Sequence, residues 1–276
     1  MNWRSAADIN YELEALDHLA AKGESVSTAV RRLDGARITA IPAPEGKRFA
    51  VLFTFAPGRE LKQDEADSAA FGRSCAAIHA AADDFACGHA RFKLDAAHLL
   101  NEPLSYIRPH LVHRPEDREF VEAVADRLRH RMAALEHVPL DRGFCHGDFH
   151  GGNVHRQEDR LTHFDFDCCG NGFRAHDIPV YRWGQRLIST ELEQKNWPPF
   201  LAAYRESRSL SEADLAAVDL FVPIRQIWFM GMHLHGGPRW GFGWLGEKYF
   251  DKHLKNLREM EEMAAKQGNI INDDLP

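Results

Sequence analysis

Asp148, Asn153 and Asp165 are the residues of this 276-residue chain whose types and spacing could work together on one substrate. The first carboxylate lies in the turn Phe144-Cys145-His146-Gly147-Asp148-Phe149-His150-Gly151-Gly152-Asn153. The amide follows five positions later, and the second carboxylate sits in the run Phe164-Asp165-Phe166-Asp167. That is a set for phosphoryl transfer, a reaction that asks for little covalent work and much positioning and charge neutralisation. Asp148 is expected to be the catalytic residue, aiming an acceptor hydroxyl and taking its proton. Magnesium takes oxygen ligands in an octahedral shell, so Asn153 and Asp165 are expected to be its ligands.

A hairpin must bring these groups together. Gly151 and Gly152 allow a tight turn, Val154-His155 leaves as a short strand, Asp159-Arg160 reads as a turn, and Leu161 to Phe166 returns. Around it the apolar spacing predicts helices over 6–22, 64–82, 116–136, 174–188, 191–206 and 246–266, and strands over 36–41 and 48–55. Pro42, Pro44, Glu45 and Gly46 read as the turn between the two strands. A capping box, Ser211-x-x-Asp214, opens a further helix that runs towards Gly236-Gly237, with a kink at Pro223. The Gly/Pro-rich stretch from Gly236 to Gly241 reads as a loop that lines a pocket. Trp228, Phe229, Trp240, Phe242, Trp244, Tyr249 and Phe250 read mainly as helix packing, with a pocket wall that can meet an amine as the other use.

The D-x-x-x-x-N interval followed by a metal-holding Asp is that of the protein kinases. With His-Gly-Asp in place of His-Arg-Asp and His150 inside the loop, the segment resembles the aminoglycoside/choline phosphotransferase family, which shares the kinase fold. The resemblance runs from about Arg4 to the C-terminus. Phe49 to Phe53 with Gly58-Arg59, Phe71-Gly72-Arg73 with Ile78-His79, and Trp244 to Tyr249 resemble the stress response kinase A and type II homoserine kinase branch. That branch contains kinases of small alcohols and kinases of protein Ser/Thr, so either acceptor is implied. The implied fold is α+β and protein-kinase-like, with a residual N-terminal lobe over 1–57 and a mostly helical catalytic lobe over 58–276. ATP is the implied phosphate donor, with a hinge near Phe53, Thr54 and Phe55. Glu12 falls where the family's helix glutamate would, with Glu14 as second candidate. His146 and Asp177 are implied supports of the loop, and Asp167 a second ligand or a loop-ordering carboxylate. His150, His155 and His163 read as hydrogen-bonded loop residues.

The kinase fold also implies a glycine-rich loop and a phosphate-binding Lys. Neither motif occurs, and no Lys precedes Lys22. Arg4, Arg31, Arg32 and Lys47 are substitutes that spacing does not rank. The chain is therefore expected to lack the first strands of its small lobe and to bind ATP weakly. A catalytically impaired kinase-like binding protein is the alternative reading. A further one, a zinc hydrolase built on His146, Asp148, His150, His163 and Asp165, leaves the Asn153 interval without a job.

Composition narrows the classes. A net charge of −7 argues against a nucleic-acid binder. No run approaches the roughly 18 apolar residues of a membrane span, and no apolar leader opens the sequence. Cys75, Cys87, Cys145, Cys168 and Cys169 form no C-x-x-C pair, which suits a reducing cytoplasm.

Overall fold

The computed structural model describes residues 4–44 and 46–266. Glu45, which was read into a turn, lies outside them.

Helix α1 (Ala6–Ala21) starts on a capping box. The Ser5 hydroxyl accepts the Asp8 N–H, and the Asp8 side chain accepts the Ser5 N–H. Its inner face buries Ile9, Leu13, Leu16 and Leu19, together with Glu12. β1 (Thr39–Ala43) and β2 (Gly46–Ala50) form an antiparallel two-stranded sheet. The second strand is shorter than its sequence suggests. Beyond Ala50 the chain stays extended but pairs elsewhere: Thr54 N–H donates to Thr28, and Phe53 bridges Ala29.

The larger part is helical. α2 (Glu65–Ala81) is capped by Asp64. Then come β3 (Lys93–Leu94), a π turn over Ala97–Asn101, α3 (Glu102–Ile107), a short 3-10 turn, and α4 (Pro115–Leu135). β4 (Arg142–Cys145) leads into the loop that carries Asp148, and β5 (Val154–Gln157) pairs antiparallel with β6 (Arg160–His163). β7 (Gly170–Phe173) joins β3 and β4 in a three-stranded sheet of order β3-β7-β4. That sheet is not visible in the sequence, because strands of two to four residues carry no readable alternation. It anchors both arms of the site: β4 enters the loop that carries Asp148, and β7 leaves the one that carries Asp165.

Residues 174–188, read as one helix, divide into a 3-10 turn at Arg174–His176 and α5 (Ile178–Ile188), with Pro179 in the first turn of α5. α6 (Thr190–Ser207) packs on α2. α7 (Glu212–Trp240) opens on the Ser211/Asp214 capping box, and α8 (Glu247–Lys266) closes the described chain.

One expectation about α7 is corrected. Gly236-Gly237-Pro238 is not a loop: the helix continues through it to Trp240. A Cβ on Gly237 would lie 2.3 Å from the Phe242 ring, so the absent side chain admits the aromatic that folds back onto the helix end. By length and composition α7 is apolar enough to cross a membrane, contrary to the expectation from apolar runs alone. In this fold 72% of its apolar window is buried inside the protein, as befits a core helix.

Candidate active site

The loop between β4 and β5 is held from three sides. From behind, Asp177 accepts the backbone N–H groups of His146 at 2.5 Å and Gly147 at 2.8 Å. It also meets the His79 imidazole at 3.1 Å and that of His176 at 3.7 Å. Burial pushes the Asp177 carboxyl up, but the neighbouring His176 and His79 imidazoles prevail and hold it below the usual carboxylate range. From below, Phe149 stacks on Phe71 of α2 at 4.9 Å between ring centres. Within the loop, His146 Nδ1 accepts the Asp148 N–H at 3.3 Å, while its Nε2 lies 3.2 Å from the Phe164 carbonyl. Burial pushes this imidazole below its ordinary value, which favours the neutral ring with one accepting and one donating nitrogen.

Gly147 turns this loop. Its φ is +81°, and a Cβ there would lie 2.1 Å from the Cys168 carbonyl oxygen. Only glycine meets both conditions without strain.

The hairpin register sets the two other groups. Val154 pairs with His163, and the Phe164 N–H donates to the Asn153 carbonyl at 3.0 Å, so Asn153 stands one residue from Asp165 across the strands. The Asn153 amide nitrogen donates to the Asp148 carbonyl at 3.0 Å, which leaves its side-chain oxygen for another use. Asp165 has φ +64°, a left-handed conformation that costs a non-glycine residue energy and turns its side chain out of the strand line. Among the described residues no hydrogen bond reaches its carboxylate. Protein packed around it, then the charges of Asp167 and Asp148, push its carboxyl up to about 6, although the residue opens on free space.

Two cavities meet at Asp165. The first, of about 630 Å³, is lined by Glu12, Leu16, Val51, Phe53, Phe55 and Phe164 among others, and has a mostly apolar wall. The extended stretch Phe53 to Ala56 forms one side of it, and His155, whose ring contacts the Ala56 carbonyl at 2.8 Å, forms another. The second, of about 340 Å³, holds Asp148, His150, Asp167, Trp183, Arg225 and Trp228. Both volumes suit small ligands. Asp165 lines both.

Glu12 faces the first cavity from α1 while only 4% exposed. Burial, then Asp167, push its carboxyl up to about 8 against the pull of Arg91. No cation among the described residues makes a hydrogen bond or ion pair with it. Glu14 turns elsewhere: it accepts from the Cys87 thiol at 3.0 Å and pairs with His89 at 3.1 Å.

Of the four basic residues that spacing could not rank, Arg31 donates to the Gly35 carbonyl, Arg32 pairs with Asp34, and Lys47 is exposed on β2. Arg4 alone reaches a cavity: it lines the second one, with its Nε 3.9 Å from Asp167. Asp167 also accepts from the Cys168 thiol at 3.1 Å. The zinc reading finds no geometry. His163 turns to the Ser74 hydroxyl, and no cluster of three or more His, Cys, Asp or Glu among the described residues could hold a metal.

Sequence reasoning missed Arg225. It sits in the middle of α7, 2% exposed, and its Nη2 donates to Asp148 Oδ1. Its only sequence signal is a charge inside the apolar run of a core helix, Phe221-Val222-Pro223-Ile224-Arg225-Gln226-Ile227-Trp228, and a charge so placed is rarely without a partner. Trp183, which was also not singled out, flanks it.

Comparison with known proteins bears on this geometry. Residues 3–221 match the profile described as "Phosphotransferase enzyme family". An uncharacterized protein of Deinococcus radiodurans is 42% identical over 263 residues, covering 94% of this chain and 76% of its own. Two solved structures share the fold. A microcompartment-associated aminopropanol kinase gives a TM-score of 0.78 at 21% identity, over 98% of this chain and 85% of its own. An amicoumacin kinase in complex with AMP-PNP, Ca²⁺ and Ami gives 0.75 at 22% identity, over 93% and 78%. The fold is therefore kinase-like, the enzyme a kinase-like phosphotransferase, and the chain belongs to the phosphotransferase enzyme family.

Proposed function

We propose that this protein transfers the γ-phosphate of ATP, with magnesium, to a hydroxyl of a small amine-bearing molecule. One observation carries the reading: Asp165 lines both cavities, with the hinge-like stretch Phe53 to Ala56 in one and Asp148 in the other. A donor in the first cavity and an acceptor in the second would face each other across that carboxylate. Residues 1–57 then serve the donor side and residues 58–276 carry the catalytic lobe.

The donor set fits a divalent cation. Asp165 is a carboxylate without a hydrogen-bond or ion-pair partner among the described residues, crowded by two like charges, and the Asn153 amide nitrogen, not its oxygen, makes the bond to Asp148. Oxygen ligands of this kind suit magnesium. When bound, the ion would neutralise charge on the transferred phosphate. Asn153 and Asp165 would hold it, Asp148 would receive and orient the acceptor hydroxyl, and Asp177 with His146 would keep the loop in register. The acceptor side carries Trp183, Trp228, Phe229 and Trp240 beside the carboxylates of Asp148, Asp165 and Asp167. Arg225 already pairs with Asp148 and lies over Trp183 and Trp228, and Arg4 pairs with Asp167, so it is Asp165 with the nearby Phe229 that supports an ammonium group here. An amine-bearing alcohol is also what the name of the aminopropanol kinase carries. A protein Ser/Thr acceptor has to enter a cavity of about 340 Å³ and is the less favoured choice. A cytoplasmic location, with its ATP supply, accompanies this reading.

The test is phosphate transfer from ATP, with magnesium, to a panel of amino alcohols, polyols and Ser/Thr peptides, read by product mass. Glu12, buried and without a hydrogen bond or ion pair to a cation among the described residues, favours a second reading: a kinase-like protein that binds ligand without efficient transfer. Weak ATP binding by calorimetry, with no phosphorylated product from any acceptor, selects that reading. Micromolar ATP binding with a phosphorylated product selects the first.

A further inference from the structure

We infer that Arg225 is a positioning residue for the transfer step: it takes one oxygen of Asp148 out of play and thereby presents the other to the acceptor hydroxyl. This inference rests on the phosphotransfer reading.

The geometry is that of a fork. Nη2 of Arg225 donates to Asp148 Oδ1, and Nη1 donates to the Gly147 carbonyl at 3.3 Å. One planar group thus ties down both the catalytic carboxylate and the backbone of the residue before it. A guanidinium can span two acceptors in this way, whereas a lysine ammonium acts as a point charge. The remaining oxygen, Oδ2, lies 3.6 Å from His150 Nε2 at the wall of the second cavity.

The guanidinium is itself fixed. Its central carbon lies 4.3 Å from the Trp228 ring centre and 4.9 Å from that of Trp183. Trp183 cannot swing away freely, because its indole N–H donates to the Gln226 side chain at 2.9 Å. Two rings therefore hold the plane of the fork, and the fork holds the carboxylate. The arrangement also keeps Asp148 ionised: burial pushes its carboxyl up, but the Arg225 charge leads the groups that hold it well below the ordinary range. A carboxylate so stabilised is a weak base. Its contribution is to aim the hydroxyl, which is what a loose transition state with late proton loss requires.

The clamp comes from α5 and α7, while the loop it serves comes from the β4–β5 connection. Alignment of Asp148 thus depends on how α7 is seated. This gives the positive charge in the core of the helix a role: replacing it with a neutral side chain would leave the half-buried Asp148 without that counter-ion.

The experiment uses the whole chain with the best acceptor from the panel above. Arg225→Lys and Arg225→Ala are expected to lower kcat by about 10²-fold, the cost of slight misplacement, while KM for ATP stays within about twofold. Methylguanidinium should restore part of the kcat of Arg225→Ala, and methylammonium, with equal charge but no fork, should not. If Arg225→Ala does not fold, Arg225→Lys carries the test. Hydrogen exchange at residues 146–150 gives a readout that needs no turnover, and the lysine variant should lose protection there with its melting temperature little changed. Wild-type kcat together with wild-type protection in Arg225→Lys would overturn the assignment. A wild-type protein that phosphorylates nothing in the panel would count against the phosphotransfer reading, and the exchange result would then decide the loop-holding role separately.

Discussion

The side-chain amide of Asn153 donates to the backbone carbonyl of Asp148 at 3.0 Å, so the proposed metal-holding residue also braces the residue proposed to receive the hydroxyl. A change at either is transmitted to the other through a single hydrogen bond. Four experiments follow from this arrangement and its surroundings.

Asp148→Asn keeps the size of the side chain and an oxygen for Arg225. Turnover should fall by about 10²-fold or more, the cost of misplacing the acceptor hydroxyl. The circular dichroism spectrum should be unchanged. A variant with near wild-type turnover would remove Asp148 from the mechanism.

Asp165→Ala removes a carboxylate crowded by Asp167 and Asp148. Magnesium-dependent nucleotide binding should weaken by at least about tenfold, by analogy with losses at metal sites. Without metal the variant should melt at the same temperature or higher, since like charges are relieved. Calorimetry with and without magnesium separates the two effects, and equal nucleotide affinity in both proteins would sink the metal assignment.

Glu12→Gln addresses the buried carboxyl of α1. Its folded value of about 8 lies above the ordinary 4.5. The folded state therefore holds the proton longer than the unfolded state, and the Glu12 contribution to stability is full below pH 4.5 and lost as pH rises through about 8. The glutamine variant should match wild type in acid and exceed it above pH 8, on the order of 1–3 kcal/mol for a buried group left unsatisfied. Denaturant melts across that range measure the gap. A constant difference at all pH values would show that Glu12 does not titrate there.

His253 shows the opposite sign. The ring is 6% exposed, meets the Gln226 side chain at 3.0 Å, and is pushed down to about 4 from 6.5, chiefly by burial. Its folded value lies below the unfolded one, so its contribution is intact above pH 6.5 and lost as pH falls through about 4. His253→Asn should flatten the acid limb of stability in that window by up to about 1.4 kcal/mol per pH unit, the equivalent of one proton. Urea melts at several pH values would show an unchanged slope if His253 remained charged in the fold.

Parts of this molecule can be read from its residues, and others cannot. The capping box at Ser211 and Asp214 announces α7, and the intervals from Asp148 to Asn153 and Asp165 mark residues that the hairpin brings close together, because both depend on short-range patterns in the sequence. The end of α7 was misread, since Gly236, Gly237 and Pro238 are local breakers, whereas packing against Phe242 is a tertiary fact. The three-stranded sheet was missed because Gly170 to Phe173 have neither length nor alternation. Arg225 could be noticed only as an odd charge in an apolar run. Its partner lies 77 positions away, a distance no local pattern spans.

The sharing of Asp165 between two cavities has a kinetic consequence. On the proposed reading, a ligand in the first cavity would change the charge at the mouth of the second, where a bare carboxylate would repel a phosphate and attract an amine. An acceptor arriving before the nucleotide would thus meet a different electrostatic surface from one arriving after it. If the proposed donor and acceptor sites hold, the order in which the two substrates dock would depend on one side chain at the partition between them.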